Sequence, residues 1–164
     1  MNITNFIKTS VSVLLVILAV SFSNSIIACE QQNKEIAKQK LNTHSLVVVK
    51  DGRTSVYDGR GIKPVVDYLE KDNFDGAFVA DKVIGKASAL LLVYGKVQEV
   101  YTPVISKPAV KVFEDNNVKY SADKIVDNII NRTGTDLCPM EKKVQNIDNP
   151  KRAYNLFRRL LKES

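Results

Sequence analysis

The chain has 164 residues, which is about the length of one domain. Its 24 lysines and arginines outnumber its 18 acidic residues, and the net charge of +6 favours anionic ligands or surfaces without identifying one. A single histidine and two cysteines exclude a zinc site built from several histidines and a fold held by a disulfide framework.

The first 28 residues are arranged like an export signal. One positive charge, Lys8, precedes the apolar run VSVLLVILAV, and mainly small and aliphatic residues follow as far as Ala28. The apolar run has about ten residues, whereas a helix that spans a membrane needs roughly 20. We therefore expect residues 1–28 to be a cleaved signal.

Cys29 follows the sequence Ile-Ile-Ala, which resembles the lipobox of bacterial lipoproteins. In such proteins the cysteine receives lipid and becomes the new N-terminus. The resemblance implies lipidation of Cys29 and a place at the cell membrane, facing the periplasm or the exterior. An uncleaved hydrophobic anchor, in which Cys29 is incidental, and another export route are the alternatives. A lipid and an anchor would both hold a soluble domain at the membrane surface.

Residues 29–44 are polar apart from Ile36, Ala37 and Leu41, which is typical of a spacer or of a marginal helix. We interpret this segment as a tether that leads to a folded domain at residues 45–164.

The domain opens with a predicted β-hairpin. A β-branched run at Leu46–Lys50 is followed by the turn DGR and by an alternating segment that ends near Tyr57. The spacing then becomes helical after Gly59, with Pro64 in the first turn, where its missing N–H does no harm.

Strands and helices alternate through the rest of the domain. A short strand at residues 77–80 precedes a helix with Asp81 as its predicted N-cap and Gly95 as its end. Further strands are predicted at residues 97–102 and 118–120, on either side of a helix at 107–117. The remaining segments, which have helical patterns, are 121–132, 138–147 and 149–162.

This order of elements predicts an α/β fold. Strands separated by helices of about ten residues need right-handed crossovers, which give a mainly parallel sheet. Because the hairpin is antiparallel, the predicted sheet is mixed, with the hairpin at one edge and helices on both faces in a three-layer arrangement.

Lysines and arginines are concentrated near the end of the chain, between Lys142 and Lys162. A solvated helix face is the plain interpretation of this pattern. The alternative is contact with an anionic partner, and an export signal favours lipid headgroups over nucleic acid. We expect no nucleic-acid partner.

A hairpin followed by repeated helices and strands resembles the cytidine deaminase-like superfamily. The blocks LVVVKDGR, GRGIKP, ADKVIGKASALLLVYG and INRTGTDLCPMEK also look like those of an uncharacterised bacterial domain family assigned to that superfamily. The resemblance covers roughly Ser45 to Leu161. It implies the three-layer fold of the superfamily, and it supplies no substrate.

The zinc motifs of the true deaminases do not occur in this sequence. In those enzymes a His-Ala-Glu or Cys-Ala-Glu motif opens the helix after the hairpin, and a Pro-Cys-x-x-Cys motif opens the next one. The corresponding openings here are GRGIK, at residues 59–63, and ADKVI, at residues 80–84. Asp81 alone offers a metal ligand, and no carboxylate replaces the proton-transferring glutamate. We therefore expect no metal, no cofactor and no zinc-dependent deamination.

The same two openings predict a site for an anion. In open α/β sheets, ligands bind where helices begin beside the carboxyl ends of parallel strands, and helix N-termini attract anions. Glycines and basic side chains here favour a phosphate, a carboxylate or a nucleotide-like ligand, although solvated side chains are the alternative. The predicted ligand-binding residues are Gly59, Arg60, Gly61, Lys63, Asp81, Lys82, Lys86, Asn131, Arg132 and Cys138.

Cys138 precedes Pro139, a residue suited to a first helical turn, so its thiol lies at or near a predicted helix N-terminus that stabilises a thiolate. If this segment folds over the two helix openings, Cys138 is a candidate nucleophile with Asp81 or Asp136 as proton carrier. A structural or ligand-lining cysteine is the alternative. A disulfide to Cys29 remains open only if the signal is retained.

The sequence thus predicts an exported, membrane-tethered protein whose domain binds an anionic small molecule. It leaves open whether a reaction is catalysed. A surface binding module with a vestigial pocket is one alternative, and a zinc-independent enzyme that depends on Cys138 is the other.

Overall fold

The computed structural model describes residues 27–163, so most of the predicted export signal lies outside the described residues. The chain divides into two compact units, and the second begins at Ile36. Within residues 27–163, no helix combines the length and the apolar character that crossing a membrane requires.

Helices and strands alternate along much of the second unit, as the sequence predicts. The helices are α1 (residues 27–41), α2 (Lys63–Leu69), α3 (Lys86–Tyr94), α4 (Lys107–Asp115), α5 (Pro139–Lys143) and α6 (Pro150–Lys162). The strands are β1 (Leu46–Lys50), β2 (Arg53–Tyr57), β3 (Phe78–Asp81), β4 (Val83–Ile84), β5 (Glu99–Ser106) and β6 (Lys119–Val126). The predicted α/β class and the N-terminal hairpin are confirmed.

These strands form one mixed sheet. β1 pairs antiparallel with β2 and β3, whereas β5 pairs parallel with β3, β4 and β6. Residues of β3 and β4 pair with β5 at the same offset, since Ala80 faces Tyr101 and Ile84 faces Ile105. β3 and β4 are therefore two parts of one strand with an interruption at Lys82. The order across the sheet is β2, β1, β3 with β4, β5 and β6.

The main core lies on one face of this sheet. Alternate residues of a strand face opposite sides, and Leu46 and Val48 of β1 face a core that α2, α3, α4 and α6 cover. Helix α3 is central to this core, because its residues 87–92 are all buried. Burying one large apolar side chain contributes roughly 1.5–3 kcal/mol, so this face supplies most of the stabilising burial.

The opposite face of the sheet carries a smaller core. Val47 and Val49 of β1 pack there with Ala37 and Leu41 of α1, which are 0% and 3% exposed. The compact unit begins at Ile36. The end of the segment interpreted as a tether is therefore packed on the sheet, and the folded domain begins before Ser45.

The predicted start of α3 is wrong. Val83 and Ile84 form β4, and α3 begins at Lys86 with Gly85 as its N-cap. Asp81 accordingly ends β3 and does not cap a helix. The apolar spacing of this segment suits a helix, but pairing with β5 recruits its first two apolar residues into the sheet.

The helix predicted at residues 121–132 is also wrong. Residues 121–126 continue β6, which pairs with β5 as far as Val126. Residues 127–132 form no helix, and Ile130 makes an isolated antiparallel bridge to Leu137. Long-range pairing along β5 outweighs the local helical spacing, because seven residues of β6 have partners along β5.

The predicted C-terminal helix is confirmed as α6. It begins at Asn149, whose Oδ1 accepts a hydrogen bond from Arg152 N at 3.0 Å. The helix buries Tyr154 and Phe157 and exposes its basic residues. One of these, Arg158, lies with its Nε 3.4 Å from Glu70 Oε1.

Candidate functional site

A cleft of about 690 Å³ lies beside β4. Leu46, the first residue of β1, pairs with Asp81, the last residue of β3, so β1 does not extend alongside β4. The cleft occupies this space. Its walls are the β2–α2 connection, the segment from Asp81 to the first turn of α3, and the segment from Ile129 to Glu141.

Eight of the ten predicted ligand-binding residues line this cleft. They are Gly59, Arg60, Gly61, Asp81, Lys82, Asn131, Arg132 and Cys138. The other two are engaged elsewhere: Lys63 Nζ lies 2.5 Å from Asp67 Oδ2, and Lys86 Nζ lies 2.8 Å from Asp148 Oδ1. The structure therefore brings together the three sequence segments that were predicted to meet.

The first wall turns sharply into α2. Gly61 has a φ of +59°, in the left-handed region that glycine adopts without strain. Arg60 and Ile62 on either side of it both line the cleft. Pro64 then occupies the first turn of α2, as its position in the sequence predicts.

Asp81 is the half-buried carboxyl group of the cleft. Its Oδ2 accepts a hydrogen bond from Ser88 Oγ at 3.0 Å, and its Oδ1 accepts one from Val83 N at 3.3 Å. Removal from water raises the pKa of Asp81 to about 7, and these hydrogen bonds offset only part of that rise. Asp81 can therefore both take up and release a proton near neutral pH.

Three basic residues, Arg60, Lys82 and Arg132, line the same cleft and are exposed. Within residues 27–163, none of them forms an ion pair with a carboxylate. The cleft therefore offers a ligand three basic side chains that no close ion pair holds, although Lys82 is near enough to help lower the pKa of Asp58.

Glu141 occupies the N-terminus of α3. Its Oε2 accepts a hydrogen bond from Lys86 N at 2.9 Å, its Oε1 accepts one from Ala87 N at 3.0 Å, and the residue is only 8% exposed. Backbone N–H groups at a helix start stabilise such a negative charge. The idea that both helix openings present free N–H groups to a ligand is therefore wrong for α3.

Sequence reasoning missed Glu141, although one signal pointed to such a group. Gly85, the N-cap of α3, has no side chain to accept hydrogen bonds from the first turn, so another acceptor is required. Glycine is also needed for close approach, because a Cβ at residue 85 would lie 2.4 Å from Glu141 Oε1. Ser88, which binds Asp81, was missed as well, since its place in the sequence is that of an ordinary core residue.

The 129–138 loop, which contributes Asn131 and Arg132 to the third wall, is held by its own hydrogen bonds. Cys138 N donates to Ile129 O at 2.9 Å, and Thr135 N donates to Asn131 Oδ1 at 3.0 Å. The Asn131 side chain is thus engaged within the loop, although the residue lines the cleft.

Cys138 is a partly exposed free thiol that lines the cleft and caps the five-residue helix α5. Cys29, in α1, is likewise a free thiol. Asp136, one of the two proton carriers considered for Cys138, does not line the cleft, and its hydrogen bond from Lys142 lowers its pKa. Asp81 is therefore the candidate proton carrier that shares the cleft with this thiol.

The only histidine of the sequence lies just outside the cleft. His44 Nδ1 is 3.0 Å from Asp58 Oδ2, and Ser45 N donates to Asp58 Oδ1 at 3.2 Å. The hydrogen bond with His44 lowers the pKa of Asp58. His44 thus ties the start of β1 to the end of the hairpin, beside the cleft residues Ser45 and Gly59.

Metal-binding side chains are not grouped in the described structure. Between residues 27 and 163, no three histidine, cysteine, aspartate or glutamate side chains lie close enough together to hold a metal ion. Of the acidic residues in the cleft, Glu141 already binds the start of α3.

Comparison with known proteins identifies relatives by sequence and by structure. Residues 33–161 match the family described as TM1506, "Domain of unknown function (DUF1893)". The crystal structure of a DUF1893 family protein, TM1506 from Thermotoga maritima, is similar with a TM-score of 0.71 and 29% sequence identity. That match covers 84% of this chain and 90% of the Thermotoga chain. No curated protein matches the sequence.

Proposed function

The chain belongs to the DUF1893 family, and we propose that its domain binds an anionic small molecule in the cleft between β4 and the 129–138 loop. The observation that carries this proposal is the convergence of Arg60, Lys82 and Arg132 on one cleft, where none of them forms an ion pair with a carboxylate of residues 27–163. Positive charge gathered in one cleft attracts a phosphate or a carboxylate.

The size and lining of the cleft support a small-molecule ligand. Pockets for such ligands have volumes of roughly 300–1,000 Å³ and are mostly apolar with a few polar groups. The cleft falls within that range, and Ile62, Val83, Ile130 and Met140 contribute apolar surface to it. The ligand is therefore expected to combine an anionic group with an apolar or planar body, as nucleotide-like molecules do.

We further propose that the domain is a member of the cytidine deaminase-like superfamily that has lost zinc chemistry. The antiparallel hairpin followed by parallel crossovers supports this assignment. The cleft also lies beside the two segments that correspond to the zinc motifs of the superfamily. In this chain those segments place Gly59 and Arg60, before α2, and Asp81, at the end of β3, in the cleft wall.

Export and attachment to a membrane through Cys29 complete the proposal. The order of charged, apolar and small residues in residues 1–28 supports it, as does the exposed thiol of Cys29. Labelling of cells with a fatty-acid probe tests the attachment. The wild-type chain should be labelled and Cys29→Ala should not, whereas equal labelling of Cys29→Ala and wild type would remove the lipoprotein hypothesis.

The anion site is tested by thermal stability in the presence of inorganic phosphate, ethyl phosphate and acetate. A ligand that binds only the folded state raises the melting temperature. We expect phosphates to raise that of the wild type, and to have little effect on the double variant Lys82→Ala, Arg132→Ala. The matched control is Lys96→Ala, Lys119→Ala, which removes two exposed charges that do not line the cleft.

Either of two results would remove the anion proposal. One is the absence of stabilisation by any anion, and the other is an equal loss of stabilisation in the cleft and control variants.

A Cys-dependent enzyme is the second candidate, because Cys138 and Asp81 line the same cleft. Asp81 has a pKa suited to proton transfer near neutral pH. Rapid alkylation of Cys138 by iodoacetamide, with a rate that follows the ionisation of Asp81 and is lost in Asp81→Asn, would favour it. Slow alkylation without that pH dependence would contradict the enzyme hypothesis and favour ligand binding without catalysis.

A further inference from the structure

Asp81 has hydrogen-bonding capacity that the protein leaves unused. A carboxylate can accept about four hydrogen bonds. Asp81 accepts one from Ser88 Oγ, one from Val83 N and one from the backbone N–H of Lys82, which leaves room for one more, and the residue lines the cleft. A ligand in the cleft therefore meets a polar group with room for another donor.

Two other polar side chains of the cleft walls, those of Glu141 and Asn131, are already hydrogen-bonded within the protein. Both carboxylate oxygens of Glu141 accept hydrogen bonds from the start of α3. The Asn131 side chain is bound by Thr135 of its own loop. Asp81 thus differs from these neighbours in facing the cleft with a partly satisfied group.

The basic side chains of the cleft form no ion pair with Asp81 among residues 27–163. The charged and titratable groups facing it from the surrounding segments are Arg60, Lys82, Arg132, Cys138 and Glu141. None of their side chains contributes to the shifted pKa of Asp81, which removal from water dominates. The cleft consequently holds three basic side chains and, separately, a carboxyl group that has no cationic partner among residues 27–163.

We propose that the ligand of this cleft is an amino-bearing anion, whose anionic group meets Arg60, Lys82 and Arg132 and whose nitrogen donates a hydrogen bond to Asp81. The proposal rests on the anion-binding function proposed above and adds the chemical class of the ligand. An anion without a donor leaves Asp81 unpaired, and a second anionic group beside Asp81 is repelled once that carboxyl group is ionised.

An ammonium group stabilises the charged form of Asp81, so binding is linked to pH. At pH 5.5 the carboxyl group is mostly protonated, and an ammonium group must displace a proton to pair with it. Above pH 7 the carboxylate is already present. The affinity for an amino-bearing anion therefore rises from pH 5.5 to pH 8, relative to the affinity for the same anion without nitrogen.

Matched phosphate esters test this inference by calorimetry on the full-length chain with phosphatidylcholine vesicles present. The pairs are ethyl phosphate with 2-aminoethyl phosphate, and butyl phosphate with 4-aminobutyl phosphate. We expect at least one amino compound to bind about tenfold more tightly than its partner at pH 8, as a hydrogen bond between charged groups allows. That ratio should fall toward one at pH 5.5.

Variants assign the preference to Asp81. In Asp81→Asn the preference should disappear at pH 8 while the alkyl phosphate still binds. The control Asp75→Asn removes an exposed carboxylate that does not line the cleft and should keep the preference. The pH dependence of the wild type gives an independent test if Asp81→Asn does not fold. Phosphocholine, which has positive charge but no N–H donor, should bind more weakly than 2-aminoethyl phosphate.

The outcomes separate this inference from the function on which it rests. Equal binding of alkyl and aminoalkyl phosphates at pH 8 would overturn the inference and leave the anion site intact. If neither class binds, both proposals fail. The same chemistry occurs in lipid headgroups, so the titration is repeated with vesicles that contain phosphatidylethanolamine. If these vesicles compete with the soluble probe and abolish its binding, the ligand is a lipid headgroup. If the probe binds as before, the ligand is a soluble metabolite.

Discussion

Two acidic residues, Glu141 and Asp81, line the same cleft, but their carboxyl groups have different surroundings. Glu141, at the start of α3, is 8% exposed and accepts two hydrogen bonds from backbone N–H groups. Asp81, between β3 and β4, also accepts hydrogen bonds, but removal from water outweighs them and raises its pKa to about 7. The comparison indicates that the Glu141 charge maintains the fold, whereas the Asp81 charge is available to a ligand.

The largest change in stability is expected from Gly85→Ala, which disturbs the contacts of Glu141. The new Cβ would lie 2.4 Å from Glu141 Oε1, so the carboxylate would have to leave its buried position. We expect a loss of about 3 kcal/mol of unfolding free energy, because a buried charged group loses its partners. Urea unfolding measures this loss.

A double variant provides the control for that result. Gly85→Ala combined with Glu141→Ala contains no carboxylate to displace, so the two substitutions together should cost less than the sum of their separate effects. Additive effects would contradict the proposed clash.

Asp81→Asn addresses the other carboxyl group and is expected to stabilise the protein at pH 8. The pKa of Asp81 is higher in the folded chain, at about 7, than its ordinary value of 3.8. Ionisation of Asp81 therefore lowers the free energy of unfolding progressively as the pH rises from 3.8 to about 7. Above pH 7 this destabilisation is complete. We expect a gain of about 2 kcal/mol at pH 8 and little change at pH 4.

Denaturant unfolding at both pH values checks this prediction, with Asp75→Asn as the control. The same gain at pH 4 as at pH 8 would show that the effect does not come from the ionisation of Asp81.

A smaller effect is expected from Glu141→Gln, which keeps the size of the side chain and removes its charge. One oxygen can still accept a hydrogen bond from the start of α3, so we expect a loss of about 1 kcal/mol. Hydrogen exchange should become faster at Lys86 N and Ala87 N, the two bonded amides. Unchanged exchange at these amides would mean that the charge of Glu141 is not what holds them.

The smallest effect is expected from Lys63→Ala, which tests the boundary of the site. Lys63 pairs with Asp67 on the surface of α2 and does not line the cleft. We expect a change in stability below about 0.5 kcal/mol and no change in phosphate binding. A loss of phosphate binding comparable to that of Lys82→Ala would place Lys63 in the site after all.

Local patterns predicted much of the fold and of the cleft. The β-branched run and turn of the hairpin, and the proline and apolar spacing of α2, are signals contained within a few residues. The cleft residues Arg60, Lys82 and Cys138 could be predicted because the segments that follow parallel strands meet at one edge of a sheet. Their side-chain chemistry was visible in the sequence.

The features that sequence reasoning missed depend on distant partners. β4 forms because Val83 and Ile84 pair with β5. β6 extends to Val126 because it also pairs with β5. The bond between Lys86 N and Glu141 Oε2 joins residues 55 positions apart. The spacing of residues within one segment cannot predict such a contact, because it depends only on neighbours along the chain.

That distance also has a consequence for the order of folding. Closing a long loop loses chain entropy before the contact that closes it stabilises the chain. Glu141 can therefore reach α3 only after most of the intervening chain has folded. We expect the sheet and α3 to form first and the third wall of the cleft to dock late. Pulse-labelling hydrogen exchange would then protect the amides of β5 before Lys86 N, whereas simultaneous protection would contradict this order. A chain still in the process of folding would thus lack the cleft, and ligand could engage only a nearly completed molecule.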